Sequence, residues 1–270
     1  MDISTLRSGK LTIDYPAEHV VRVTLDDPDN RNAIDPVLHD DLARIFPMID
    51  HEPDIRAAIL TGRGKAFCGG GAVSKTKGPE EPAQVTFARQ YADVLHLINS
   101  LVNMRTPLVS AINGAAVGAG LSLALLADIS IAAEDAKLFE GHLQNGLIAG
   151  DHAVLVWPLL CGMAKTKYHV MLGDPITGRE AADCNLISLA VPLEELEARS
   201  IAVASRLAAT APMALRMTKH TLNHWYRQAM PAFELSTALE LAMLRSPEVS
   251  EAIGARIEKR EAKFPDPSPF

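Results

Sequence analysis

Apolar residues in the first half of the chain fall in short runs separated by turn-forming residues. Residues 11–25 carry two such runs, LTIDY and VVRVTL, parted by Pro16-Ala17-Glu18-His19, and this pattern predicts a hairpin. Asp26-Asp27-Pro28-Asp29-Asn30 reads as a polar loop leading to Arg31-Asn32-Ala33-Ile34. Asp35-Pro36 then offers a capping acid followed by proline at the first helical position. Leu38, Leu42, Ile45 and Ile49 share one helical face, and Pro47 predicts a kink or an early end. Residues 55–61 read as a strand running into Gly62-Arg63-Gly64-Lys65-Ala66-Phe67-Cys68-Gly69-Gly70-Gly71-Ala72, a glycine-rich segment where backbone can approach a ligand closely. Polar residues 73–84 predict a mobile loop. A helix follows with Phe87, Tyr91, Val94, Leu95, Ile98 and Val102 near one face, stopped by Arg105-Thr106-Pro107.

The pattern changes at residues 105–133, RTPLVSAINGAAVGAGLSLALLADISIAA, where no charge occurs between Arg105 and Asp128. Residues 108–112 predict a buried strand, residues 113–120 a tight turn of small residues, and residues 121–127 a buried helix. The first amides of a helix lack internal partners and sit at the positive end of its dipole. An N–H near Ala119 can therefore face an oxygen that becomes negative, half of an oxyanion hole. The same length suits a bilayer span, and Gly114 and Gly118 give a GxxxG pair. Early Gly, Asn and Ser, and the lack of a second span, weigh against that reading.

Residues 136–150 predict a strand and a loop carrying Glu140 and His142, with Asp151 just beyond. A helix over 164–172 ends at Gly173, Thr177-Gly178-Arg179-Glu180 resembles a capping box, and residues 186–192 read as a strand. From 193 onward the chain reads as helices broken at Pro212, Pro231 and Pro247, with a frayed tail at Pro265, Pro267 and Pro269. Strands alternating with helices, then helices alone, predict an α/β fold: a parallel-sheet core over residues 1–192 and a helical region over 193–270.

Composition narrows the function. The chain of 270 residues is 48% hydrophobic and 22% charged, with a net charge of −7. That balance disfavours nucleic acid and anionic membrane surfaces as partners. Cys68, Cys161 and Cys184 form an odd set without CxxC spacing, as expected of reduced thiols in a cytoplasmic protein. The start of the chain lacks a signal-peptide pattern. The nine histidines include no HExxH motif, and no GxGxxG, P-loop or GxSxG motif occurs.

Three segments, GRGKAFCGGGAV (62–73), PLVSAINGAAVGAGLSLALLADISIA (107–132) and GDPITGREAADCNLISLAVP (173–192), resemble the crotonase superfamily, the enoyl-CoA hydratase/isomerase family. The resemblance spans the first hairpin to the SEAIGARIEKREAKF tail (250–264). It implies a spiral of ββα turns, C-terminal helices that assemble trimers or hexamers, and an acyl-CoA substrate whose coenzyme A is part of that substrate, with no separate cofactor. By the same resemblance the thioester oxygen accepts N–H bonds from Gly71 and Ala119. Each such donor is worth about 3 kcal/mol to an enolate-like transition state. Arg31, Asn32, Ala33, Ile34, Lys65 and Gly70 match the coenzyme A contacts. Asp27 stands where relatives often carry a basic residue, which leaves Arg31, Arg63 or Lys65 to meet phosphate.

The proton-transfer residues depart from the family. Hydratases of this type hold a water between two glutamates. One of those positions, one helical turn beyond Ala119, is Ser122. The other aligns with His142, or with Leu143 if the match slips by one, and Glu140 is close. Imidazole titrates near working pH, so His142 is the expected replacement. Asp151 is expected to orient His142 or to act as the base. Cys68 is expected to pack, since no histidine adjoins it in sequence. The leading expectation is chemistry on a thioester enolate. The alternatives are C–C cleavage, hydrolytic or decarboxylative, and an acyl-CoA binder without turnover.

Overall fold

Two antiparallel strands open the fold, β1 (Leu11–Ala17) and β2 (Val20–Leu25), as the hairpin pattern requires. The computed structural model describes residues 1, 3–72, 83–150 and 152–264. The loop expected over 73–84 lies largely outside the described residues, as do Asp151 and the three tail prolines. Helix α1 (Pro36–His51) is capped by Asp35, whose carboxylate accepts from the Val37 and Leu38 amides. Pro47 neither ends nor breaks it. Leu38, Leu42, Ile45, Phe46 and Ile49 are fully buried, and that burial outweighs the one main-chain hydrogen bond that proline removes.

Thereafter one unit recurs. Strands β3 (Ala57–Gly62) and β4 (Ala66–Cys68) precede helix α2 (Ala83–Val102). Strands β5 (Leu108–Ile112) and β6 (Ala115–Val117) precede α3 (Ala119–Leu125). Strands β7 (Ile129–Ala133) and β8 (Lys137–Phe139) precede the short helices α4 (His152–Leu155) and α5 (Trp157–Leu160). Helix α6 (Gly162–Leu172) ends on left-handed Gly173; β9 (Ile176–Thr177), α7 (Gly178–Asp183) and β10 (Leu189–Val191) follow. The Thr177–Glu180 capping box is present at the start of α7.

The first strand of each unit enters a six-stranded sheet of order β1-β2-β3-β5-β7-β10, parallel from β2 onward. The second enters a four-stranded sheet of order β4-β6-β8-β9. This is the expected spiral of ββα turns. The small-residue stretch at 113–120 is not a single tight turn, because β6 lies inside it. Nor is the uncharged run a membrane span: it divides into two strands and a helix, and no helix among the described residues is long and apolar enough to cross a bilayer.

The C-terminal helices are α8 (Leu193–Ala209), α9 (Pro212–Leu222), α10 (His224–Met243) and α11 (Pro247–Glu258). Pro231 lies within α10 rather than ending it; the buried side chains Met230, Phe233, Ser236 and Thr237 hold the helix across it. Val21, Val23, Ala58 and Leu60 face the main core with α1, α2 and α3. Val20, Ala57, Ile59, Val109 and Ile131 face the other way and meet Leu196, Ala204 and Ala208 of α8. A largely parallel sheet buried on both faces explains why its strands read as continuous apolar runs.

Candidate active site

Two strand ends lie side by side because β4 and β6 pair in parallel. Beyond β4 comes Gly69-Gly70-Gly71; beyond β6 comes Gly118, then α3. Gly70 is left-handed (φ +88°), and a Cβ there would lie 2.8 Å from the Val117 carbonyl oxygen. A Cβ on Gly120 would lie 2.5 Å from that of Cys68. Both glycines are therefore required by close contact between the two turns.

The Arg31–Ile34 loop lies along the other side of the Gly70 segment. Gly69 N–H donates to the Arg31 carbonyl, Ile34 N–H to Gly70, and Ala72 N–H to Ile34, each at 2.8 Å. In this bridge the bonded groups belong to Gly70 and Ala72, so the Gly71 N–H points away from Ile34. Gly71 is exposed, and a Cβ there would meet nothing within 4 Å. Ala119 opens α3, where its amide has no i−4 partner inside the helix. Gly118 before it has φ 47° and ψ −120°, a conformation open essentially to glycine alone. Among the described residues neither the Gly71 nor the Ala119 N–H is bonded.

His142 follows β8 and begins the tight turn over Leu143–Asn145, with Asn145 N–H donating to its carbonyl at 2.8 Å. Its ring carbon Cε1 lies 3.7 Å from where a Cβ on Gly118 would sit, so the imidazole stands against the residue that presents the Ala119 amide. The side chain of Glu140 is 1% exposed. One of its oxygens takes the ring Nδ1–H in a short hydrogen bond; the other accepts the His142 main-chain N–H at 3.2 Å. His142 Nε2 faces Glu240 Oε1 of α10 at 3.3 Å. Ser122, buried one turn beyond Ala119, places Oγ 3.4 Å from the Gly118 carbonyl oxygen.

The structure thus gathers Arg31, Asn32, Ala33, Ile34, Gly70 and Gly71 at one turn, and Ala119, Ser122 and His142 at the other. The Asn32 side chain is spent within the fold: it is fully buried, donates to the Arg63, Ala66 and Phe67 carbonyls and accepts from the Asp27 N–H. The Arg31 guanidinium is exposed and has no partner among the described residues. Lys65 lines a separate groove of about 550 Å³ with Gly114, Glu134 and Lys137. Asp27 is engaged by Lys10 at 2.7 Å, and that contact holds its carboxyl below the usual range. Arg63 is paired with Asp26. Burial pushes the Cys68 thiol up to about 12, and its Sγ–H donates to the Asn32 carbonyl at 3.0 Å, so it is a packed thiol, not a nucleophile. A cavity of about 590 Å³ between the outer sheet face and α8 includes none of the site residues.

The profile of the enoyl-CoA hydratase/isomerase family matches residues 16–267. The chain belongs to the enoyl-CoA hydratase/isomerase family. It is similar to an (E)-benzylidenesuccinyl-CoA hydratase of Thauera aromatica, with 33% identity over 75% of this chain and 78% of the relative. It also resembles the crystal structure of an enoyl-CoA hydratase/isomerase from Mycobacterium paratuberculosis (TM-score 0.83, 28% identity, covering 91% of this chain and 97% of that one). An enoyl-CoA hydratase of Bacillus anthracis matches with a TM-score of 0.73 and 27% identity, covering 94% of this chain and 98% of that one.

Glu240 is the residue of this family member that sequence reasoning misses. Ser236, Thr237 and Glu240 lie on one face of α10, but the helix carries other polar residues, so this spacing alone does not single out Glu240. Ser236 Oγ donates to the Gly150 carbonyl at 2.7 Å and Thr237 Oγ1 at 3.3 Å. A Cβ on Gly150 would lie 2.5 Å from the Glu240 Cβ. A Cβ on Gly146 would meet the Glu248 main chain of α11 at 2.6 Å. The His142 loop is thereby clamped between the last two helices.

Proposed function

We propose that this family member acts on an acyl-CoA thioester through an enolate. The Gly71 and Ala119 N–H groups hold the thioester oxygen, and His142 carries the proton. Polarising that oxygen acidifies the α-carbon, and a positioned imidazole accepts its proton. The observation that carries this reading is the imidazole, oriented by Glu140, standing against Gly118 beside the Ala119 amide. With Nδ1–H given to Glu140, the lone pair of the proposed base lies on Nε2, the nitrogen that faces Glu240.

Arg31 is proposed to meet a phosphate of the coenzyme A arm, with the Asn32–Ile34 main chain and Gly70 alongside. Lys65 would serve only a part of the ligand that reaches its separate groove. Asp151 is proposed to assist His142, and Ser122 to hold water. The named reaction of the Thauera relative makes hydration of a branched or aryl-substituted enoyl thioester the first reaction to assay. C–C cleavage is the second reading, favoured by Ser122 in place of a carboxylate. Assembly into trimers or hexamers is proposed as well, supported by exposed Met163, Tyr168, Met171 and Leu172 on α6 and Trp225 on α10.

The test is turnover of enoyl-, β-keto- and malonyl-type CoA thioesters, benzylidenesuccinyl-CoA included, by wild type, His142→Ala and Asp151→Asn. His142→Ala is expected to lower kcat by roughly 10²- to 10⁴-fold on whichever thioester reacts. Thioester binding without turnover in all three proteins would establish a binder and overturn the enzymatic reading.

A further inference from the structure

His142 has a carboxylate at each ring nitrogen, and the two differ in setting. The Glu140 side chain is 1% exposed and comes from the same loop, whereas that of Glu240 is 18% exposed and comes from α10. The Nε2 contact of 3.3 Å is long for a charge-assisted bond, which lies near 2.7–2.9 Å. A small approach of either side chain would bring Nε2 and the carboxylate within proton-exchange distance. Once Nε2 gains a proton the same pair becomes donor and acceptor of opposite charge.

We infer that Glu240 is a positioning residue for His142: the C-terminal helix supplies the carboxylate that stabilises the imidazolium and passes its proton onward. The inference rests on the enolate reading above. In the dehydration direction the substrate Cα–H bond breaks and an Nε2–H bond forms, the released electron pair moving to the thioester oxygen; hydration runs the same step in reverse, Cα taking the Nε2 proton as the enolate collapses. Nε2–H then yields its proton to the Glu240 carboxylate, leaving neutral imidazole and a carboxylic acid, which loses the proton to water. Of the described residues facing the ring, Glu140 fixes the tautomer and Glu240 receives the proton. Gly150 is part of the device, since any side chain there would displace the Glu240 backbone segment.

The experiment compares wild type, Glu240→Gln and Gly150→Ala by steady-state kinetics across pH, and by NMR titration of the His142 ring. Glu240→Gln keeps the size of the side chain and removes its charge. It is expected to lower kcat about 10²-fold with KM within about twofold, and to move the His142 titration midpoint downward because the neighbouring anion is gone. An unchanged pH profile and an unchanged midpoint in Glu240→Gln would overturn the proposal, and so would loss of activity in Gly150→Ala alone. If no thioester turns over even in wild type, the enolate reading fails; the NMR midpoint still decides whether Glu240 acts on His142.

Discussion

Asn32 shows how one side chain can be read two ways. Its place in the family pattern points to the ligand, yet its amide holds three carbonyls of the neighbouring segment and takes the Asp27 N–H. Its own N–H donates to the Asp27 carbonyl at 2.8 Å. Asn32→Ala leaves these buried groups without partners and is expected to cost about 3 kcal/mol. A urea unfolding curve of the variant, with its midpoint lowered at constant slope, is the check. The candidate residues Gly71, Ala119, Ser122 and His142 could be named from sequence because they occupy recognisable motif positions. Their neighbours could not. Glu240 meets His142 only through long-range packing, and nothing local in ALELAM announces that meeting.

Among the elements, α1 has the firmest start and carries a pH dependence. Burial alone would raise Asp35, but the Leu38 amide and Lys10 outweigh it and hold the carboxyl below its usual range. Asp41 is likewise held low: burial opposes it, while Ser8 and the Arg7 amide prevail. Both groups have a lower pKa folded than unfolded, so their stabilisation is complete above the unfolded value, near 3.9, and is lost as pH falls through the folded one. Melting temperature is therefore expected to fall below about pH 4, with a shallower fall in Asp41→Asn than in wild type. The start of α1 was readable because Asp-Pro carries its mechanism locally. The end was misread because Pro47 and Pro231 are judged locally as breakers, whereas the cores that hold α1 and α10 together are built from distant strands and helices.

At the scale of the whole molecule, the alternation of strands and helices sufficed for the α/β class. The division of strands between two sheets was not visible in periodicity, since β4, β6 and β8 are three residues each. Short strands are specified by their neighbours in space rather than by their own pattern. The outer surface supports the proposed assembly. Trp225 is 63% exposed and Met171 67%. Light scattering is expected to give three or six times the monomer mass, and Trp225→Asp with Met171→Asp is expected to lower it.

The docking of α10 on Gly150 also has a bearing on biosynthesis. Ribosomes release the chain from its beginning to its end, so the spiral, both glycine turns and His142 emerge well before Glu240 does. Until α10 is made, a newly formed chain carries the proposed oxyanion donors and the imidazole but lacks the second carboxylate beside that ring. On the proposal above, the proton relay is therefore assembled only once α10 has docked.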